Sequence, residues 1–263
     1  MHIVVALKQV FDPNTPVVQL RIGAEGRSIE LPSGLSPVMN GYDANAVEAA
    51  IALKEKHGGS VTALSVGDDG AKNALRRAVG MGADRAIHIA GPVGLAADSI
   101  VVAALLAAAI RKLPRFDLIL CGRQASDTDA AQVPLLLAAA LDVPGVVPVK
   151  SVTPDGEEAL LVDRIADGMT QKLRVDLPAV LGVSNEINKP RTASLKGVML
   201  ARKAEVPTWT AAEIGLADLE PGLQLRRVSI PTPPEGRAEL IAAASASAAG
   251  TALADRLRQE GMI

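Results

Sequence analysis

Apolar positions in the first half of the chain fall into two kinds of run that take turns. Short, nearly continuous stretches rich in Val and Ile occur at Ile3–Leu7, Ser60–Val66, Ala86–Ala90 and Asp117–Cys121. Longer Ala- and Leu-rich stretches follow them at Ala44–Lys56, Ala71–Val79, Ala97–Lys112 and Asp129–Leu141. The short runs lack the polar alternation of a half-exposed strand, so they predict strands buried on both faces, and the long ones predict the helices that cover them. Alternating βα units of this kind predict an α/β fold class, a doubly wound and mostly parallel sheet. Between Phe11 and Met39 the first crossover is interrupted by Val17–Arg21 and Ser28–Leu31, separated by Gly23–Gly26, which reads as an inserted hairpin. Asp43 is expected to cap the next helix.

Beyond residue 144 the pattern changes. Strand-like segments at Val146–Val152, Glu158–Arg164, Met169–Val175 and Ala179–Val183 are separated by Pro154-Asp155-Gly156 and Asp167-Gly168, predicting a hairpin ahead of one last core strand. After Ser184 little periodicity is left, and Pro190, Pro207, Pro221, Pro231, Pro233 and Pro234 punctuate the segment until an Ala-rich helix at about Ala238–Arg258. A tail of this composition is expected to embrace another surface, or else to pack back on its own sheet.

Composition narrows the functions. The 263 residues suffice for one large domain plus an appendage. A formal charge of -2 and a pI near 6.0, with dispersed basic residues, give no reason to expect nucleic acid. The single cysteine, Cys121, excludes an internal disulfide framework and suits a reducing compartment, so the cytoplasm is expected. The first residues lack a basic leader and a cleavage site and read as a strand. The most apolar stretch, Leu95–Ile110, carries Asp98 and falls short of the ~20 residues of a membrane span. With aromatic residues at 2%, a base or flavin is expected to be held by backbone and small side chains rather than by an aromatic platform.

In an open α/β sheet ligands bind beyond the carboxyl ends of the strands, where strand order reverses. Ala6, Lys8 and Gln9 follow the first strand; Gly67-Asp68-Asp69-Gly70 follows Val66; and Gly122 through Asp129 follows Cys121. Gly122 would let a ligand approach, and Asp127 or Thr128 would cap a helix whose first N–H groups, around Ala130–Val133, are free for a phosphate. A plain capped helix is the ordinary alternative. The Gly67–Gly70 turn, with two carboxylates, is the weaker phosphate site, and no Gly-x-Gly-x-x-Gly or Walker motif occurs. His2, His57 and His88 have no spacing that suggests a metal or a triad, and Cys121 reads as an ordinary buried thiol. A cofactor holder is indicated, with no catalytic side chain of its own.

Blocks along nearly the whole chain carry a resemblance. They are Lys8-Gln9-Val10, Met39-Asn40-Gly41-Tyr42-Asp43, Val61–Gly67, Ala78–His88, Leu120–Ala125, the stretch from Val162 through Arg164, Asp167, Gly168 and Leu173, and Leu177-Pro178-Ala179-Val180. In this order they resemble the β subunits of electron transfer flavoproteins, although Met169 and Gly182 depart from the commonest residues. The resemblance implies an adenine-nucleotide α hydrolase-like fold, with a nucleotide-binding domain at 1–185 and a recognition loop plus C-terminal arm at 186–263 that contacts the α subunit.

The resemblance also implies a nucleotide site at Ala6, Lys8, Asn40, Val66, Gly67 and Cys121, continued by Gly122, Arg123, Gln124, Thr128, Asp129, Ala131, Gln132 and Val133. FAD is implied at the junction with the α subunit. The β site itself holds AMP in the ordinary branch and a second FAD in the bifurcating branch. Ala131 and Val133 stand where the AMP branch has Asn and Thr, and Val cannot replace a hydroxyl. The Gly122–Val133 run is similar to the bifurcating branch, from which Thr128 and Pro134 depart in place of glycines. The Asn188–Lys203 stretch is similar to the loop that docks flavin dehydrogenases through a leucine, matched by Leu195, with Arg191, Lys196 and Met199 beside it. A quinone oxidoreductase is a further acceptor implied for such carriers, and NADH oxidation is implied only for a bifurcating heterodimer. The rival readings are a stand-alone nucleotide-binding module of the universal-stress type and a hydrolase of the same superfold.

Overall fold

The computed structural model describes residues 1–91, 98–231, 236 and 238–263. It divides into two compact units, Met1–Val228 and Ser229–Ile263. The first unit continues past residue 185, and the nine-stranded sheet lies within it.

Five strands form the parallel centre of the sheet: β1 (His2–Ala6), β6 (Ser60–Gly67), β7 (Arg85–Ala90), β8 (Leu118–Gly122) and β12 (Ala179–Val183). Four short strands lie outside it in the inserted crossover. There β2 (Gln9–Val10) pairs with β5 (Val38–Met39), and β3 (Arg21–Ile22) pairs with β4 (Ile29–Glu30) as a hairpin shorter than expected, because Val17–Gln19 of its first arm forms a 3-10 turn instead of a strand. Strands β9 (Gly145–Asp155), β10 (Ala159–Ala166) and β11 (Met169–Asp176) extend one edge as an antiparallel meander. The other edge is closed by β13 (Thr208–Trp209), and the full order is β11-β10-β9-β12-β8-β1-β6-β7-β13. The chain thus runs outward from β1 through β6 and β7, then returns to place β8 on the other side of β1. That reversal is the switch point.

Alternation along each strand sorts the core into two layers. Ile3, Val5, Leu118 and Leu120 face a cluster containing α1 (Gly41–His57) and α2 (Ala71–Met81). Val4, Ala6, Ile119 and Cys121 face the opposite cluster, with α3 (Ser99–Lys112) and α4 (Val133–Leu141). The α/β, doubly wound reading is therefore correct.

Several local expectations are corrected. Asn40, not Asp43, occupies the N-cap of α1, because the buried Asp43 carboxylate in the first turn is drawn to two strand ends instead. Helix α4 begins at Val133 rather than Asp129: Asp129 and Ala131 adopt positive φ of 47° and 52°, and Pro134 then starts the helix with its fixed φ and missing N–H. Helix α3 is capped by the Asp98 side chain, while Leu95–Ala97 of the expected helix, together with Pro233 and Pro234 of the tail, lie outside the described residues. In the second unit the terminal helix α6 spans Ala246–Gln259, beginning later than expected because Ser245 supplies its cap through the N–H of Ala248.

A further helix, α5 (Leu195–Lys203), lies in a stretch expected to be aperiodic. Ser194 caps it by accepting from Gly197 N, and Gly197 lets it approach α2. A Cβ at Gly197 would lie 2.2 Å from the carbonyl oxygen of Gly80. Close backbone approach, more than an apolar stripe, is what seats this helix. Gly197→Val is accordingly expected to destabilise the protein by about 1–3 kcal/mol through overpacking. Urea denaturation measures the loss, and hydrogen exchange should rise selectively over Leu195–Lys203.

Candidate functional site

The carboxyl ends of β1, β6 and β8 open into a cavity of about 660 Å³, within the range of small-molecule sites. Its floor is backbone and small side chains: Ala6, Gly67, Cys121 and Gly122. The inserted hairpin contributes Arg27, Ser28 and Ile29 to the wall, α3 contributes Ser99, Val102 and Leu106, and Leu223 completes it. Of the fourteen nucleotide-site residues expected from the sequence, all but Asp129 line this cavity. Asp129 instead accepts a hydrogen bond from Gln124 Nε2 at 2.7 Å.

Two residues of the turn into α1 assemble the floor. Asn40 is 1% exposed; its Nδ2 donates to Gln124 O at 2.8 Å and its Oδ1 accepts from Ser126 N at 3.2 Å. Its amide is thereby used to hold the loop after β8 in place. Asp43, which sequence reasoning had assigned only to capping, accepts from Lys8 N at 2.7 Å and from Gly122 N at 3.0 Å. One carboxylate so joins the ends of the two strands that flank the switch point. Glycine is required at 122, since a Cβ there would sit 2.3 Å from Asp43 Oδ1.

Burial pushes the Asp43 carboxyl up to about 7, against the donors from Lys8, Asn40 and Gly122 and the more distant Lys8 charge that pull it down. The Cys121 thiol is pushed well above its usual range, by burial and then by the neighbouring Asp43 charge. A thiolate nucleophile is thus disfavoured there, as expected of an ordinary buried cysteine.

Cationic groups are unevenly engaged. The Lys8 ammonium is paired with Asp127 at 2.8 Å, closing the loop across the cavity; Asp127 too was foreseen only as a cap. Arg123 is fixed through its N–H to Val183 O, and its guanidinium lies over the Tyr42 ring at 5.2 Å. Its Nε is buried with no hydrogen-bond partner. Nearby, the N–H groups of Ala130, Ala131 and Gln132 donate to no protein acceptor among the described residues. Ala131 holds its positive φ at a cost of about 1–2 kcal/mol for a residue with a Cβ. The arrangement fits an anionic, hydrogen-bond-accepting ligand such as a nucleotide phosphate.

The family model described as the electron transfer flavoprotein domain matches residues 33–214, a span that includes Asn40, Asp43 and the whole loop after β8. The chain belongs to the electron transfer flavoprotein family, as a β subunit. It is 36% identical to the electron transfer flavoprotein subunit beta of Thermoanaerobacterium thermosaccharolyticum over the full length of both. It is 32% identical, again over both full lengths, to the caffeyl-CoA reductase-Etf complex subunit CarD of Acetobacterium woodii. Protein FixA of Sinorhizobium fredii is 34% identical over 92% of this chain and 87% of its own length.

A β subunit of this flavoprotein family implies an α subunit as partner in a heterodimer, and electron transfer as the activity. These matches set aside the universal-stress and hydrolase readings. In the electron transfer flavoprotein β subunit described here, no helix among the described residues is long and apolar enough to cross a membrane. No cluster of metal-ligating side chains occurs among those residues either.

The expected docking residues separate into two groups. Leu195 is 82% exposed at the start of α5, and Met199, Leu200 and Lys196 are exposed with it. Arg191 is instead clamped between Glu48 and Glu55 of α1, which hold its guanidinium protonated well above the usual arginine range. It ties the α5 segment to the body of the protein.

Removal of the Asn40 amide tests the assembly of this site. Asn40→Ala leaves Gln124 O and Ser126 N without their partner, and is expected to cost about 1–3 kcal/mol. Faster hydrogen exchange should be confined to residues 123–129, read by mass spectrometry on the native heterodimer.

Proposed function

We propose that this subunit holds a second FAD in the cavity at the β1/β8 switch point, and that the αβ heterodimer uses it for bifurcating electron transfer. The observation that carries the reading is the buried, partnerless Nε of Arg123 beside the free N–H groups of Ala130–Gln132. Those N–H groups suit a diphosphate. The side chains of Ala131 and Val133 offer no hydroxyl or amide to a mononucleotide phosphate, and the cavity lining also includes Arg27–Ile29 of the hairpin, which suits a longer ligand. The bound flavin supplies one- and two-electron redox chemistry. This chain orients it through backbone donors, keeps the Arg123 charge beside it and retains the loop through the Lys8–Asp127 pair. The positive charge of Arg123 is expected to favour the reduced flavin.

The exposed face of α5 serves to dock flavin dehydrogenases, with Leu195 and Met199 as apolar anchors and Lys196 as a charged rim. Arg191 supports that face from behind. Helix α6 buries none of its residues, in keeping with an arm covered by the α subunit. NADH oxidation belongs to this reading as a property of the heterodimer, and a quinone oxidoreductase is one acceptor it allows. A cytoplasmic location is in keeping with the single buried cysteine.

Denaturing the purified heterodimer and counting released nucleotides tests the cofactor: two FAD per αβ pair are expected, whereas one FAD and one AMP would return the protein to the ordinary carrier branch. Docking is tested separately. Leu195→Ala should slow electron exchange with the dehydrogenase about tenfold or more at limiting carrier, the loss of an interface hot spot, with the visible spectrum unchanged. Equal turnover would remove α5 from the docking surface.

A further inference from the structure

Asp43 is a buried carboxylate in the wall of a cavity that suits an anion, and no cation among the described residues is bonded to it. Lys8, whose backbone N–H it receives, spends its ammonium on Asp127 at 2.8 Å. Arg123, from the loop after β8, lies over the ring of Tyr42. The donors to the carboxylate are neutral groups: the backbone N–H of Lys8 to Oδ2, that of Gly122 to Oδ1, and the Asn40 side chain. Gly122 and Asp43 are in direct contact, a Cβ at Gly122 falling 2.3 Å from Asp43 Oδ1, and both line the cavity.

We propose that Asp43 is a proton-coupled positioning residue for the nucleotide, so that an anionic ligand entering this cavity brings a proton onto Asp43. The inference rests on the nucleotide reading of the site and deepens it. Ionised, the carboxylate braces the ends of β1 and β8 but sets a negative charge beside the incoming phosphates. Neutral, it keeps one accepting oxygen for a strand end and gains an O–H that can donate to the ligand.

Burial has already brought its titration to about 7 without ligand, and a bound anion pushes it further up, because a like charge disfavours the ionised form. The titratable and charged groups that line the cavity with Asp43 are Lys8 beyond β1, Arg27 in the inserted hairpin, Cys121 at the end of β8, Arg123 and Asp127 in the following loop and Asp68 in the loop after β6, and Tyr42 is its neighbour on α1. Cys121 stays protonated, its thiol being pushed up by burial. Linkage fixes the sign: the complex binds a proton that the free site has lost above about pH 7, so affinity is level below that pH and falls above it.

The test uses the heterodimer stripped of nucleotide, titrated calorimetrically with FAD and with AMP from pH 6 to pH 9. For the wild type, affinity should drop above about pH 7 by up to tenfold per pH unit, the limit for one coupled proton. At pH 8 the binding enthalpy should vary with the ionisation enthalpy of the buffer, reporting proton uptake. Asp43→Asn keeps the shape of the side chain and should abolish both effects. A wild-type affinity level with pH, or a binding enthalpy indifferent to buffer, overturns the proposal even where the variant fails to fold. An unaltered slope in Asp43→Asn overturns it as well. Failure of both nucleotides to bind at any pH overturns the nucleotide reading along with it.

Discussion

Two parallel strands that flank a switch point diverge at their carboxyl ends, and each leaves backbone N–H groups with no strand to pair with. Here the Asp43 carboxylate takes one N–H from each, Lys8 and Gly122. The ladder already pairs β1 with β8 up to Ala6 and Cys121, and that single buried group ties the two chains together just beyond it, at the cavity floor. Asn40, one helical turn earlier on the same element, extends the control to the loop after β8 through its amide. The turn into α1 is therefore the part of the molecule on which the site depends, although few of its side chains face the cavity with a free polar group.

Small residues make this arrangement compatible with a ligand. Ala6, Gly67 and Gly122 leave the strand ends bare, and the helix-start loop offers N–H groups in place of side chains. Aromatic platforms are absent from the floor: the sole tryptophan, Trp209, sits on the edge strand β13. Specificity then falls to a few charged groups. Lys8 and Asp127 satisfy one another, while the buried Nε of Arg123 has no partner among the described residues. A flavin or nucleotide that meets Arg123 would complete a hydrogen-bond inventory that the protein alone leaves open.

The α5 face follows a different logic. Gly80 and Gly197 bring two helix backbones together, while Arg191 crosses to Glu48 and Glu55 of α1. These contacts hold a short helix whose outward side, from Leu195 to Leu200, is largely apolar and exposed. A rigidly mounted apolar face suits brief encounters, since little ordering is left to be done when a partner arrives. The cavity and this face belong to the same compact unit, Met1–Val228.

The sequence by itself determined the doubly wound sheet, because strands such as Ile3–Leu7 and Leu118–Cys121 must be apolar on both faces to lie between two helix layers. It determined an inserted hairpin through its glycines, and it pointed to the ends of β1, β6 and β8, where the cavity opens, since a switch point follows from the order of βα units. It did not reveal what Asp43 does. An acidic residue at a helix start has the same local signature whether it caps the helix or bridges two distant strands. Only the fold brings residues 8 and 122 to it, one on each side. The start of α4 and the existence of α5 were hidden for related reasons: left-handed Asp129 and Ala131 carry no glycine to announce them, and α5 is seated by a glycine contact with α2 rather than by an apolar period. Tertiary structure decided these because each depends on a neighbour far along the chain, about which a local pattern holds no information.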